Sequence, residues 1–286
     1  MKKNILGKTG LEIGAVGFGG IVASGERPED CARYVSYAIE RGVNYFDVAP
    51  SYGDAQEILS PALAPYRKNA YLACKSTVRH SGIKDELHNS LKILKTDYFD
   101  VYQLHGLGTM EDAGAVFAKD GAMEVLVRAK EAGYIRNIGF SAHNEDVAIH
   151  MLANYDFATV LFPINWALNM GKKFGDRLLE VCRCKNTGIL AMKTLAKGPW
   201  TENDAEEQKK FPKAWYKSIF DDDALGKAAI KYSLAKGAHT ILPPGNFGQF
   251  SFVVENIDEC ADNPLDEGDM KILAAELENL GDRYLF

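Results

Sequence analysis

Short apolar runs alternate with longer amphipathic stretches along almost the whole chain, and few folds tolerate that order. The runs are Ala15–Gly19, Asn44–Ala49, Ala70–Lys75 and Phe99–His105, then Ile135–Ser141, Thr159–Ile164, Gly188–Lys193 and His239–Pro243. They read as near-continuous β-branched and aromatic segments, the mark of strands covered on both faces in a parallel sheet. Between them the period changes to 3.6. Pro28–Arg41 places Cys31, Tyr34, Val35, Ala38 and Ile39 on one face, and Gly42 follows where a helix needs a left-handed stop. Lys84–Leu94, Met123–Ala132, Asp176–Lys185 and Ala224–Ala235 repeat that logic. Strand-to-strand spacing is about 25–35 residues, the length of a βα unit. Eight such units predict a (β/α)8 barrel in one domain over residues 1–286.

Three segments fall outside the alternation. Ile5–Leu6 and Leu11–Ile13 flank a Gly-Lys-Thr-Gly turn and predict a hairpin able to plug the barrel floor. Residues 250–260 and 266–280 predict closing helices. Between Leu195 and Asp223 lies a polar, aromatic stretch without a clean period. Its Trp200, Phe211, Trp215 and Tyr216 argue against disorder and for a folded lid or substrate loop. Together with Trp166, Tyr284 and Phe286 they suggest an apolar pocket wall or, equally, packing of the loop onto the barrel.

Composition removes several function classes. The net charge is −6 and no Lys/Arg block stands out, so neither nucleic acid nor an anionic membrane is an expected partner. No stretch approaches the roughly 18 apolar residues of a membrane span, and no apolar segment follows the opening lysines, so a cytoplasmic location is expected. The five cysteines are expected as reduced thiols at solvated or half-buried helix positions. Cys182 and Cys184 are spaced for neither zinc nor an iron–sulfur cluster, and no metal is expected.

In a parallel barrel the chemistry lies at the C-terminal strand ends. The second predicted strand delivers Asp47 and, in its loop, Tyr52; the third ends on Lys75 and the fourth on His105. Each has an ordinary explanation alone: Asp47 as a helix cap, Lys75 as a solvated amine, Tyr52 and His105 as packing residues. Jointly, three successive strands carry an acid, a phenol, an amine and an imidazole to one rim. A phenol titrates near 10, and an adjacent buried ammonium is expected to lower that value, with a carboxylate keeping the ammonium charged. His105 can donate to a substrate carbonyl or relay a proton. Side chains cannot supply hydride, so such an acid implies a nicotinamide cofactor. No G-x-G-x-x-G occurs, which argues against a Rossmann reading.

From end to end the chain resembles the aldo-keto reductase superfamily. LGKTGLEIGAVGFGG is similar to that family's opening hairpin and first strand. FDVAPSYGDAQEIL resembles its D-T-A-x-x-Y-G-x-x-E signature, and LACK, QLH and AGYIRNIGFS resemble later landmarks. The resemblance implies an NADP(H)-dependent reductase of small aldehydes, ketones or sugars, or the reverse reaction on an alcohol. It carries the catalytic tetrad over as Asp47, Tyr52, Lys75 and His105. It also implies cofactor contacts at Gly19 and Gly20 (nicotinamide ribose), Ser141 (carboxamide), Asn165, Met192 and Lys193, and at Glu255 and Asn256 for the adenine end.

The pattern is not followed everywhere. Val48, Ala142, Leu161 and Met192 stand where the family usually has Thr, Asn, Gln and a stacking aromatic. No basic residue occurs between His239 and Asn256, where the family commonly clamps a 2′-phosphate with Lys and Arg; Lys193 or Lys197 is the alternative source, and NAD(H) stays open. GFSAHN and FPINW resemble a bacterial branch that often carries a ferredoxin-like extension, absent here, so no iron–sulfur cluster is expected. His143 is then either a cofactor or substrate neighbour or a structural residue. Two other readings stay open: a nicotinamide-binding sensor with little turnover, and a non-redox barrel using Tyr52 and Lys75 for proton transfer.

Overall fold

The computed structural model describes residues 1–219 and 221–286. A hairpin comes first, from β1 (Lys3–Ile5) and β2 (Glu12–Gly14), paired antiparallel. Eight parallel strands follow in chain order around one sheet: β3 (Phe18–Gly19), β4 (Tyr45–Val48), β5 (Tyr71–Ser76), β6 (Phe99–Leu107), β7 (Ile135–Ala142), β8 (Thr159–Pro163), β9 (Gly188–Met192) and, after a loop hairpin, β12 (Thr240–Leu242). The ends of the sheet meet. Gly17 N–H donates to Ile241 O and Ile241 N–H to Ala15 O, each at 2.9 Å, so the sheet closes into a barrel. All eight predicted strands are present. The first is shorter than Ala15–Gly19, because its early residues are spent on this closing bridge.

The helices that wrap the barrel are α1 (Pro28–Glu40), α2 (Ala55–Leu63), α3 (Ile83–Ile93), α4 (Met110–Phe117), α5 (Ala122–Glu131), α6 (Glu145–Asn154), α7 (Trp166–Lys172) and α8 (Asp176–Lys185). The later ones are the single turn α9 (Ala205–Gln208), then α10 (Asp223–Ala235), α11 (Phe247–Asp262) and α12 (Glu267–Leu280). None is long and apolar enough to cross a membrane.

Strand pleating sorts the side chains. Phe46, Val48, Cys74, Tyr102, Phe140 and Phe162 face outward and pack under the helices. Tyr45, Ala73, Val101, Leu161, Leu190 and Leu242 face inward and fill the lower barrel together with Leu6 and Ile13 of the hairpin. The hairpin therefore does plug the floor: a Cβ at Gly7 would lie 2.3 Å from Gly188 N at the start of β9. Above the apolar residues the inward positions become polar: Lys75 of β5 pairs in register with Gln103 of β6, and Asp47 of β4 lies opposite Ala73, one inward position below Lys75.

Two expectations fail here. Cys31, Cys74, Cys182 and Cys260 are buried, Cys74 on a strand rather than a helix; only Cys184 is exposed among the described residues. Small polarisable thiols pack as hydrophobes, which sequence polarity understates. Trp166 is fully buried in α7 and Tyr284 lies against Gly171, so neither forms a pocket wall. The long loop is folded, with β10 (Ala196–Gly198) pairing antiparallel to β11 (Lys217–Ser218) and Trp200 Nε1 donating to Ala214 O at 2.8 Å. Phe220 of that loop lies outside the described residues.

Candidate active site

A cavity of about 320 Å³ opens at the C-terminal ends of the strands. Asp47, Tyr52 and His105 line it, with Ser51, Ser141 and His143 beside them and Trp215 and Tyr216 of the long loop on the outer side. Lys75 sits directly behind, with no solvent exposure. It is ion-paired and hydrogen-bonded to Asp47, whose second oxygen accepts from Gln103 Nε2 at 2.7 Å. The Lys75 ammonium lies 4.8 Å from the Tyr52 ring centre, and the His105 ring meets Tyr52 edge-on at 5.8 Å. The four residues that sequence reading singled out are thus brought together. Asp47 does not cap the following helix; Asp54 occupies that place.

Burial by itself would strip the proton from Lys75. The Asp47 carboxylate, with Tyr52 beside it, more than offsets this and holds the ammonium above its ordinary value. Tyr52 corrects the expectation. Burial raises its phenol above 10, and the charge and hydrogen-bonding contact of Lys75 pull it down only in part. Tyr52 is therefore fully protonated at neutral pH rather than half-ionised. His105 is pushed down to about 3, first by burial and then by the positive charges of Lys75 and Arg79. It is a neutral imidazole at any working pH. Its Nδ1 lies 3.3 Å from Ser51 Oγ.

The turn after His105 is held from two sides. Arg79 donates to His105 O at 2.7 Å and to Gly106 O at 3.3 Å while pairing with Asp112. Gly106 has φ of 68°, a left-handed conformation that a side chain rarely adopts, and its N–H donates to Ser141 Oγ at 2.7 Å. Accepting that bond leaves the Ser141 hydroxyl hydrogen directed elsewhere.

The remaining expected contacts divide. Gly19, Ser141, Met192 and Lys193 line the cavity. Lys193 has φ of 64°, lies over the Phe286 ring at 4.5 Å and pairs with no carboxylate among the described residues. Burial lowers it to about 8. His143 stacks on Phe286 at 5.5 Å and is lowered to about 4 by burial, then by Lys193. Gly20 does not line the cavity: a Cβ there would meet Asp47 O and Val48 at 2.8 Å, a packing constraint. Asn165 is spent on structure, donating to Lys193 O (3.0 Å) and Ala196 O (2.7 Å) and capping α7. Lys197 pairs with Glu276, away from the cavity. Asn256 donates to Phe252 O within its own helix, whereas Glu255 lines a second cavity and accepts from Tyr37 at 2.7 Å.

Sequence reading missed Gln103, Arg79 and Lys213. Gln103 was recoverable, since inward alternation through Val101 and His105 puts it on the same face. Lys213 depends on a long-range closure. Its ammonium reaches across the groove to Val22 O (2.8 Å), Ser24 O (3.1 Å) and the Glu26 carboxylate. No local pattern signals that contact.

Comparison with known proteins agrees with this geometry. The model of the aldo/keto reductase family matches residues 11–242. An uncharacterised oxidoreductase of Bacillus subtilis, YqkF, is 28% identical over 72% of this chain and 69% of its own length. L-galactose dehydrogenase of Arabidopsis thaliana is 24% identical over 81% and 75%. A Bacillus halodurans aldo-keto reductase solved in its holo form superposes with a TM-score of 0.73 at 22% identity, over 100% of this chain and 98% of that one. The matched segment carries the barrel and the convergent Asp47, Tyr52, Lys75 and His105, and this chain belongs to the aldo/keto reductase family of oxidoreductases.

Proposed function

We propose that this family member reduces the carbonyl of a small aldehyde, ketone or sugar to an alcohol, or runs the reverse reaction, with Tyr52 as the proton donor. Its acidic net charge of −6 favours a small cytoplasmic substrate over nucleic acid. The observation that carries the proposal is the Asp47–Lys75–Tyr52 line ending in a cavity beside a neutral His105.

The site suits a nicotinamide dinucleotide. Ser141 offers a hydroxyl hydrogen to an amide oxygen, and Gly19, with no side chain, lets a ligand approach the backbone of the cavity wall. Lys193, which forms no ion pair among the described residues and is positive below about pH 8, lines the same cavity and suits a pyrophosphate. Such a cofactor supplies the hydride. The rest of the chemistry belongs to this chain. His105, neutral, donates its Nε2–H to the carbonyl oxygen in the tautomer whose Nδ1 accepts from the Ser51 hydroxyl. As negative charge develops on the oxygen it becomes a far stronger base than a phenolate, and it takes the Tyr52 proton. Lys75 stabilises the phenolate left behind, charge compensation needed only as the reaction proceeds, which is where binding energy accelerates chemistry. Asp47 and Gln103 hold Lys75 charged and in place. Trp215, tilted over Tyr52 at 6.2 Å, shields the reacting oxygen from water.

Oxidation of NADH and NADPH across a panel of aldehydes, ketones and aldoses tests the proposal. Turnover with at least one carbonyl class is expected. Tight cofactor binding with no turnover on any of them would replace the reading with a sensing barrel, and turnover without added nicotinamide would replace it with a non-redox enzyme.

A further inference from the structure

The mouth cavity is not the end of the groove. Its wall runs through Pro243, Pro244 and Gly245. Beginning at Asn246, the next residues line a second cavity of about 360 Å³ at the start of α11. The opposite wall divides in the same way: Lys213 to Tyr216 face the first cavity and Phe211 the second. Between the two, the main chain of Lys213 crosses so closely that a Cβ on Gly245 would lie 2.8 Å from its carbonyl oxygen. Two chambers on either side of a strap match a ligand made of two halves joined by a linker, as a dinucleotide is.

The second chamber holds an unspent recognition group. Gln249 lines it, is only 5% exposed, and neither its amide nitrogen nor its oxygen has a hydrogen-bond partner among the described residues. Buried polar atoms are nearly always paired, so an orphaned amide in the wall of a cavity points to a partner that comes from outside. An amide both donates and accepts but carries no charge. The charged groups around it are all acidic. Asp222, Asp223 and Glu255 line the chamber, and no Lys, Arg or His does so among the described residues. Two of these carboxylates are fixed, Asp222 as the cap of α10 through Leu225 N (2.9 Å) and Glu255 by Tyr37. The N-terminus of α11 adds about half a positive charge, and its Gly248 N–H is already taken by Asn246 Oδ1 at 2.8 Å.

Resting on the cofactor reading above, we propose that this chamber binds the adenosine half of the dinucleotide through Gln249 and selects a free ribose 2′-hydroxyl over a 2′-phosphate. The protein thereby prefers NADH to NADPH. A 2′-phosphate brings close to two negative charges next to three carboxylates and finds no cation, whereas a hydroxyl can bond to the Gln249 amide.

Parallel titration of the full chain with NADH and NADPH, followed by tryptophan quenching and by calorimetry, tests this without any turnover. NADH is expected to bind at least tenfold more tightly. Gln249→Leu should weaken NADH several-fold and change NADPH little. The exposed Asp223→Arg should tighten NADPH at least fivefold and narrow the preference for NADH, and circular dichroism verifies that both variants fold. Equal or tighter binding of NADPH by the wild-type protein would overturn the inference and leave the oxidoreductase reading standing. Binding of neither dinucleotide would overturn both.

Discussion

The ion pair behind Tyr52 makes a quantitative prediction. Lys75 is 0% exposed and Asp47 2%, so each charge depends on the other for compensation. At an effective dielectric constant near 20, opposite charges about 4 Å apart attract by about 4 kcal/mol. Removing one member of a buried pair typically costs about 3–5 kcal/mol, because the survivor is left buried and uncompensated. Asp47→Asn keeps the shape and can still accept from Gln103, so the loss is the charge. We expect it to cost about 3–5 kcal/mol, roughly 6–10 °C in Tm at about 2 °C per kcal/mol for a chain this long. Lys75→Met should cost a similar amount, since it strands the carboxylate. The double variant removes both charges and should be less destabilised than either single one. Denaturant unfolding of the four proteins at pH 7 measures the cycle. Additive single-site costs, or an Asp47→Asn cost below about 1 kcal/mol, would refute the claim that the pair is tightly coupled.

Two further outcomes follow from the site. His105 and His143 have folded-state values near 3 and 4 against 6.5 for a free imidazole, so below about pH 6.5 the unfolded chain binds protons that the folded chain does not. Stability should fall as pH drops from about 6.5 to 5, by up to about 1.4 kcal/mol per pH unit for each histidine; a flat unfolding midpoint across that range would contradict their burial as neutral rings. Trp215 is 65% exposed, so Trp215→Ala should leave stability within about 0.5 kcal/mol. The same change should raise KM roughly tenfold through about 1.4 kcal/mol of lost contact over Tyr52, and an unchanged KM would remove Trp215 from the substrate wall.

The barrel was legible because eight buried strands impose a pattern that no local accident reproduces. So was the convergence of Asp47, Tyr52, Lys75 and His105, because residues at or just after successive strand ends of such a barrel meet at one rim. The missing helices have specific causes. Pro61 lies inside α2 and reads as a breaker, although the helix tolerates it near its end. Gly114 interrupts α4, yet the Thr109–Asp112 capping box that starts it is a readable signal. α7 buries Trp166, Ala167, Leu168 and Asn169 in succession, so its burial has no helical period to find. Asn165 and Gly20 illustrate a different limit. A residue type that could touch a ligand was read as doing so, while its hydrogen bonds or close backbone neighbours commit it to the scaffold. The raised Tyr52 phenol marks a third limit, because sequence identifies the neighbouring cation but not the degree of burial that opposes it.

The central claim is that Tyr52 gives its proton to the substrate oxygen, and Tyr52→Phe tests it most directly. The ring and its packing against His105 and Trp215 are kept, and only the hydroxyl is lost. Single-turnover reduction of the best carbonyl substrate, with cofactor affinity measured on the same samples, separates chemistry from binding. The account predicts a fall of about 10²–10⁴-fold in the chemical step with cofactor affinity unchanged. A rate within a few-fold of the wild type would contradict it and move the proton donor elsewhere.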